Sequence, residues 1–289
     1  MKFKSLSAII IASSFLMAAC SSDEETAKSS DTTAEQTETT SITPDLQPQL
    51  DSYQSFASEQ MDAFLTETEK FVTAFKAGNI EEAKSIYPLA RMYYERSEPI
   101  AESFGDLDPI IDGRLADIQE EGKGKEEWTG YHKLEYALWV ENKTEGYEEV
   151  ADQLLADSKK LYALVQTVEV TPDTMLTGAV DLLNEVSTSK ITGEEEIYSH
   201  TDLFDFKANI EGAEKIYEIL KDKIKEKDAT LATTLEEKFA AVNDLLAKYE
   251  TTDGNYASYE ELTDENTKEL ATAVNELGEP LSQLGIILE

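Results

Sequence analysis

From Leu50 to Ala77 apolar residues return every three or four positions, through Phe56, Met61, Phe64, Leu65, Phe71, Val72 and Phe75, and the run stops at Gly78-Asn79. That spacing lines them along one stripe of an α-helix, which must be buried against another element. The same period recurs over 80–104, 109–121, 126–141, 147–168, 172–187, 202–227, 229–249 and 258–288, with no convincing strand-like alternation between. Gly122, Gly124 and Asp253-Gly254 sit between these segments, as in loops joining packed helices. The pattern predicts an all-α fold. A short echo, Ser97-Glu98-Pro99-Ile100-Ala101 against Gly278-Glu279-Pro280-Leu281-Ser282, suits two related helical bundles packed together.

The N-terminus speaks to compartment. Lys2 and Lys4 precede an apolar run from Ala8 to Met17, and Met17-Ala18-Ala19-Cys20 follows, which reads as a secretory signal over residues 1–19. The run is too short to span a bilayer and lacks a basic flank on its far side. Cys20 is the only cysteine, and its place after two alanines resembles the lipobox of bacterial lipoproteins, with Met17 where Leu is usual. Lipidation at Cys20 would anchor the chain outside the cytoplasm and leave no thiol for a disulfide. Residues 20–48 are mostly Ser, Thr, Glu, Asp, Gln and Lys, too polar to bury surface against their ordering entropy, and read as a disordered tether. The folded part is then 49–289, long enough for one large core or two fused bundles.

Sixty acidic residues stand against 25 basic ones, a net charge of −35. Such a balance excludes nucleic-acid binding and concentrates cations near the surface. Acidity alone serves solubility equally well, so it is compatible with metal capture without establishing it.

Chemistry-bearing residues concentrate between Tyr87 and Trp139. On a helix over 126–141, Trp128, Tyr131, Leu134, Glu135, Leu138 and Trp139 share one broad face with His132 at its edge. A carboxylate on a core face needs a cation or metal partner, because burying it unpaired costs several kcal/mol. His132 and Glu135, three residues apart, offer one nitrogen and one oxygen to a common point, as in helical-bundle metal sites; a plain buried His–Glu hydrogen bond uses the same spacing. Tyr87, Arg91, Tyr94 and Glu98 form a second stripe, and Pro99 must kink or break the helix beside Glu98. Either Glu98 faces the site or Arg91 neutralises it. Asp108 reads as the cap of a helix opened by Pro109, which presents Asp112 one turn in. After His200, the other histidine, Asp202, Asp205 and Asn209 share a helix face beside Phe206, as a second lining of the same cavity together with Tyr94 and Arg91, or as helix-capping polarity.

Four blocks resemble those of the EfeO/EfeM iron-uptake lipoproteins: Tyr94-Glu-Arg-Ser-Glu98-Pro99-Ile100-Ala101; Asp106-Leu-Asp-Pro-Ile-Ile-Asp112-Gly-Arg114; Trp128-Thr-Gly-Tyr-His132-Lys-Leu-Glu135-Tyr-Ala-Leu-Trp139; and His200-Thr-Asp-Leu-Phe-Asp205-Phe-Lys-Ala-Asn209-Ile-Glu211-Gly212. The resemblance covers most of the chain after the tether. It implies the imelysin-like, peptidase-like pair of fused helical bundles, an HxxE metal site at His132 and Glu135 with Glu98 and Asp112 as companion ligands, and work beside an iron permease and a haem-peroxidase-type partner. The chain looks like the short EfeM type, without the cupredoxin domain of longer EfeO members.

Two function classes follow. One is a metal-binding uptake component holding ferrous or ferric iron, with zinc or manganese equally compatible with nitrogen and carboxylate donors. The alternative is a zinc-dependent metallopeptidase, for which the sequence offers no HExxH; nor does it offer a nucleophile-elbow motif for serine chemistry.

Overall fold

Helix α1 (Gln47–Lys76) buries Met61, Phe64, Phe71, Val72 and Phe75 of the stripe its spacing predicts and adds Tyr53, while Phe56 and Leu65 are half-buried, and it turns through Gly78 into α2 (Ile80–Glu95). Each such side chain withdrawn from water contributes about 1.5–3 kcal/mol. The two helices pack along their lengths, α7 (Glu148–Val165) lies on α1, and α6 (Gly130–Trp139) touches both α2 and α7, completing a first bundle. A second bundle is made by α8 (Pro172–Thr188), α9 (Asp202–Lys227), α10 (Ala229–Leu246) and α11 (Asp264–Leu281). Contacts of α2 with α9, and of the short α3 (Glu98–Ala101) with α8, join the bundles over one continuous apolar core. Side-chain caps fix several starts: Thr171 accepts from Thr174 N at α8, and Asp228 from Thr230 N and Leu231 N at α10.

The computed structural model describes residues 46–251 and 254–288. The signal segment, Cys20 and the tether up to residue 45 lie outside the described residues. Leu46 is buried and α1 begins at Gln47, so the last tether positions stand on the folded side. Among the described residues there is no strand beyond one isolated Glu250–Tyr256 bridge, and no helix is long and apolar enough to cross a membrane.

Four expected helices are broken or shortened, three of them where the site is built and the fourth, 258–288, at the end of the chain. The segment 80–104 divides at Arg96-Ser97, with Pro99 opening α3 and a 3-10 turn following over Glu102–Phe104. The segment 109–121 becomes α4 (Asp108–Ile111) and α5 (Leu115–Glu120), with Asp112 at the corner. The helix expected from 126 starts only at Gly130, whose φ of +81° suits glycine and whose missing Cβ would stand 2.3 Å from the Ile111 carbonyl. That contact seats the start of α6 on the end of α4 and brings His132 beside Asp112. The chain closes with a 3-10 turn at Tyr259–Glu261, α11 and α12 (Leu284–Leu288). Glu98 is buried and opens α3, whereas Glu279 is exposed inside the last turn of α11, so the sequence echo carries over neither to the backbone nor to a second site.

Candidate metal centre

Aromatic rings from three helices make the floor. Phe71 of α1 and Tyr131 of α6 stack at 5.5 Å, Tyr87 of α2 meets Tyr131 edge-on at 5.7 Å, and the Arg91 guanidinium carbon lies 6.0 Å and 5.9 Å from the Tyr87 and Tyr131 ring centres. Arg91 is 1% exposed. A fixed charge at that depth demands counter-charges, and carboxylates surround it. Glu196 Oε1 is 2.5 Å from Nε, Glu95 Oε1 2.7 Å and Asp205 Oδ2 3.4 Å from Nη2, Glu195 Oε1 3.6 Å from Nη2, and Asp112 Oδ1 is bonded to Nη1.

His132 and Glu135 border this cluster from α6. The imidazole Nδ1 lies 3.1 Å from Glu135 Oε2, while Glu135 Oε1 accepts the backbone N–H groups of Tyr198 (2.9 Å) and Ser199 (2.7 Å). His132 Nε2 is buried with no hydrogen-bond partner among the described residues, and faces Asp112 Oδ1 at 3.6 Å and Glu195 Oε1 at 3.9 Å. Burial, reinforced by Arg91, holds the imidazole neutral with a pKa lowered to about 3. Burial pushes Glu135 up to about 7 despite its two N–H donors. Burial also holds Asp112, Glu196 and Asp205 well above the usual carboxylate range, against the pull of Arg91. Once Glu135 is ionised it accepts Nδ1–H, and the Nε2 lone pair is left facing the carboxyl groups of Asp112 and Glu195. This is the carboxylate–histidine arrangement that presents a ligand nitrogen to a metal.

Two cavities meet at this point. A cleft of about 420 Å³ reaches His132 and Glu135 past Arg114, Trp128, Glu195 and Tyr198. On the far side of Asp112, a pocket of about 200 Å³ is lined by Glu98, Glu102, Asp108 and Glu185, again with Glu195 and Arg114. Single ligand atoms of Asp112, His132 and Glu195 converge within 4.8 Å, as do those of His132, Glu135 and Glu196.

Of the residues singled out from the sequence, His132, Glu135 and Asp112 come together. Glu98 does not join them. Its carboxylate lies 3.3 Å from Lys190 Nζ and accepts from Asn209 Nδ2 at 3.0 Å, and it groups with Glu102 and Glu185 in the second pocket. The Arg91–Glu98 pairing does not form either, because Arg91 is committed to the carboxylates around it, and Lys190 binds Glu95 (2.5 Å) beside Glu98. Burial alone would raise Glu95, but Lys190 and Arg91 hold it down to about 2. Asp202, Asp205, Asn209, Tyr94 and Arg91 line neither cavity and form a buried layer behind them. Asp202 accepts from Glu196 N, Asn209 donates to Glu95 and Glu98, and the Tyr94 hydroxyl donates to Asp108, which is thereby a side-chain acceptor and not a helix cap. Trp128 precedes α6, and its Nε1 donates to Gly113 O at 2.7 Å. His200 stands apart, 3.7 Å from Glu260.

Sequence reasoning missed Glu195, Glu196 and Lys190. The run Glu194-Glu195-Glu196 has the look of a solvated charge patch, yet Glu196 is fully buried and Glu195 nearly so. The available signal was the run's place between Gly193 and His200, in the one long helix-free stretch ahead of α9.

The sequence pattern of the Imelysin family (Peptidase_M75) matches residues 49–284. An Efem/EfeO family lipoprotein of Staphylococcus haemolyticus is 52% identical over 99% of this chain and 100% of its own length. Two Staphylococcus aureus proteins of the same description are 52% identical over 86% of this chain and 87% of theirs. The chain belongs to the EfeM/EfeO family. The all-α imelysin-like architecture agrees with that membership, and the relatives of this EfeM/EfeO chain are named as lipoproteins.

Proposed function

We propose that this protein is the extracytoplasmic, Cys20-anchored component of an iron-uptake system, holding iron for delivery to a membrane permease and working beside a haem-peroxidase-type partner. The observation that carries the reading is the buried, neutral His132, whose unpartnered Nε2 faces the carboxylates of Asp112 and Glu195 at the end of the cleft. The ligands would be His132 Nε2, Asp112 and Glu195, with Glu135 on Nδ1 fixing the ring. Glu98 is left to Lys190. One nitrogen with hard oxygen donors suits iron, zinc and manganese alike. EfeM/EfeO membership supports the iron assignment.

The role is that of a carrier and not of a peptidase. A zinc peptidase of the HExxH kind binds its metal through two histidines, and here the second histidine, His200, lies on the far side of its loop beside Glu260. Calorimetric titration with ferrous, ferric, zinc and manganese ions tests the reading. Saturable iron binding abolished in His132→Ala and weakened at least tenfold in Glu195→Gln is the expected result. Loose binding indifferent to both substitutions would mean that only the acidic surface attracts ions.

A further inference from the structure

The carboxylates of Glu195 and Glu196 and the two N–H groups that hold Glu135 belong to one segment, residues 193–200. Both ends of that segment sit in the left-handed backbone region: Gly193 at φ +75° and His200 at φ +58°. For a non-glycine residue such as His200 that conformation is uncommon and costs about 1 kcal/mol or more, so surrounding contacts must enforce it. One residue supplies contacts to both ends. Tyr259 N donates to His200 O at 2.9 Å, the Tyr259 hydroxyl donates to Ile191 O at 2.6 Å, and the Tyr259 ring lies 2.8 Å from where a Gly193 Cβ would stand. Tyr259 comes from the distant turn before α11 and touches neither His132 nor a carboxylate of the centre.

Between its ends the segment is held by polar contacts and not by apolar packing: Glu196 is buried, 2.5 Å from Arg91 Nε, and donates its N–H to Asp202, and Glu195 lies 3.5 Å from Arg114 Nη1. Tyr198 N and Ser199 N bond Glu135, Ser199 Oγ donates to Glu196 Oε2 at 2.8 Å, and the Tyr198 ring meets Tyr136 edge-on at 5.2 Å. Ile197 at its middle is 52% exposed. The segment also walls the cleft through Glu194, Glu195, Ile197 and Tyr198. Few buried apolar contacts, bounded by two residues able to absorb a large backbone rotation, describe a hinged element.

We propose that residues 193–200 form a gate over His132, and that Tyr259 is a positioning residue that pins the gate shut and so sets how fast a cation enters and leaves. The proposal rests on the reading that His132 holds a cation. Swinging the segment about Gly193 and His200 would break the two hydrogen bonds to Glu135 and the Glu196–Arg91 ion pair, leaving Arg91 to Glu95, Asp112 and Asp205, and would carry Glu195 away from His132 Nε2. Loss of a ligand and loss of the imidazole's support would then occur in one motion, which is the requirement for releasing a tightly held ion.

The test compares the full chain with Tyr259→Phe, which removes only the hydroxyl bond to Ile191, and with Gly193→Ala, whose Cβ would displace the Tyr259 ring. Hydrogen exchange judges the pin without any metal. Exchange over 194–200 should quicken about fivefold in both variants, the loss of roughly one hydrogen bond, while α1 and α10 stay unchanged. Exchange equal to wild type, or faster throughout the chain, overturns the pin. Chelator-driven release and stopped-flow uptake of Mn²⁺ judge the gate. Both rates should rise by a similar factor, leaving affinity within about threefold, because a pinned gate raises the barrier and not the well. A faster release with unchanged uptake overturns the gate in favour of simple damage to the ligand set. Wild-type protein that binds no Mn²⁺ and no iron sinks the underlying reading and the gate with it, whereas the exchange result still decides the pin.

Discussion

Replacing Glu135 by glutamine should stabilise the metal-free protein at pH 8 and leave it unchanged at pH 4.5. The Glu135 carboxyl is fully buried and titrates at about 7 in the folded chain against 4.5 when exposed. A carboxyl whose folded pKa is raised binds its proton more tightly when folded, so it costs nothing below the unfolded value. As pH climbs from 4.5 through 7 the unfolded chain loses the proton first, and folding stability falls. At about 1.4 kcal/mol for each tenfold difference in proton affinity, the full cost above pH 7 is about 3 kcal/mol. Glutamine resembles the protonated acid: its carbonyl accepts from Tyr198 N and Ser199 N, and its amide donates to His132 Nδ1, but it never ionises. For a folded part of this size, about 3 kcal/mol corresponds to roughly 6–12 °C in Tm. The assay is thermal unfolding of chelator-treated protein at fixed ionic strength across this range, reading the difference between variant and wild type, so that surface repulsion cancels. A difference that is constant with pH, or a variant destabilised at pH 8, would refute the assignment of Glu135 as a carboxyl held near 7 by burial.

Other consequences concern the groups around it. His132 is held near 3 against an ordinary 6.5, so its contribution is complete above pH 6.5 and is lost as pH falls towards 3; His132→Gln should flatten the acid limb of an unfolding curve over that window. Lys190→Met leaves Glu95 and Glu98 buried without their ammonium partner, and urea unfolding at pH 7 should show about 3–5 kcal/mol lost. Gly130→Ala forces a Cβ against the Ile111 carbonyl at positive φ and should cost more than about 1 kcal/mol. Under the proposed function the same variant should also weaken iron binding in calorimetry, because α4 and α6 carry the proposed ligands Asp112 and His132.

How far the sequence could be read follows from what each feature depends on. The stripe of Phe64, Phe71 and Phe75 was legible because helical burial is periodic within one segment. His132, Glu135 and Asp112 were legible as acids and a base on core-facing positions. Glu98 was equally core-facing, and it faces a lysine instead: no local pattern says which buried cation a carboxylate will meet, since Lys190 arrives from ninety-two residues away along the chain. Glu195 and Glu196 were illegible for the opposite reason, because they lie in a segment without period, where burial is decided by what Arg91 demands from across the bundle. Arg91 itself ties these facts together. It draws Glu95, Asp112, Glu196 and Asp205 inward, and under the proposed function it would compete with a bound cation for Asp112 and Glu195. A centre assembled around a guanidinium is therefore preorganised in shape yet moderated in affinity, which is what a protein must combine if it is to bind an ion and then give it up.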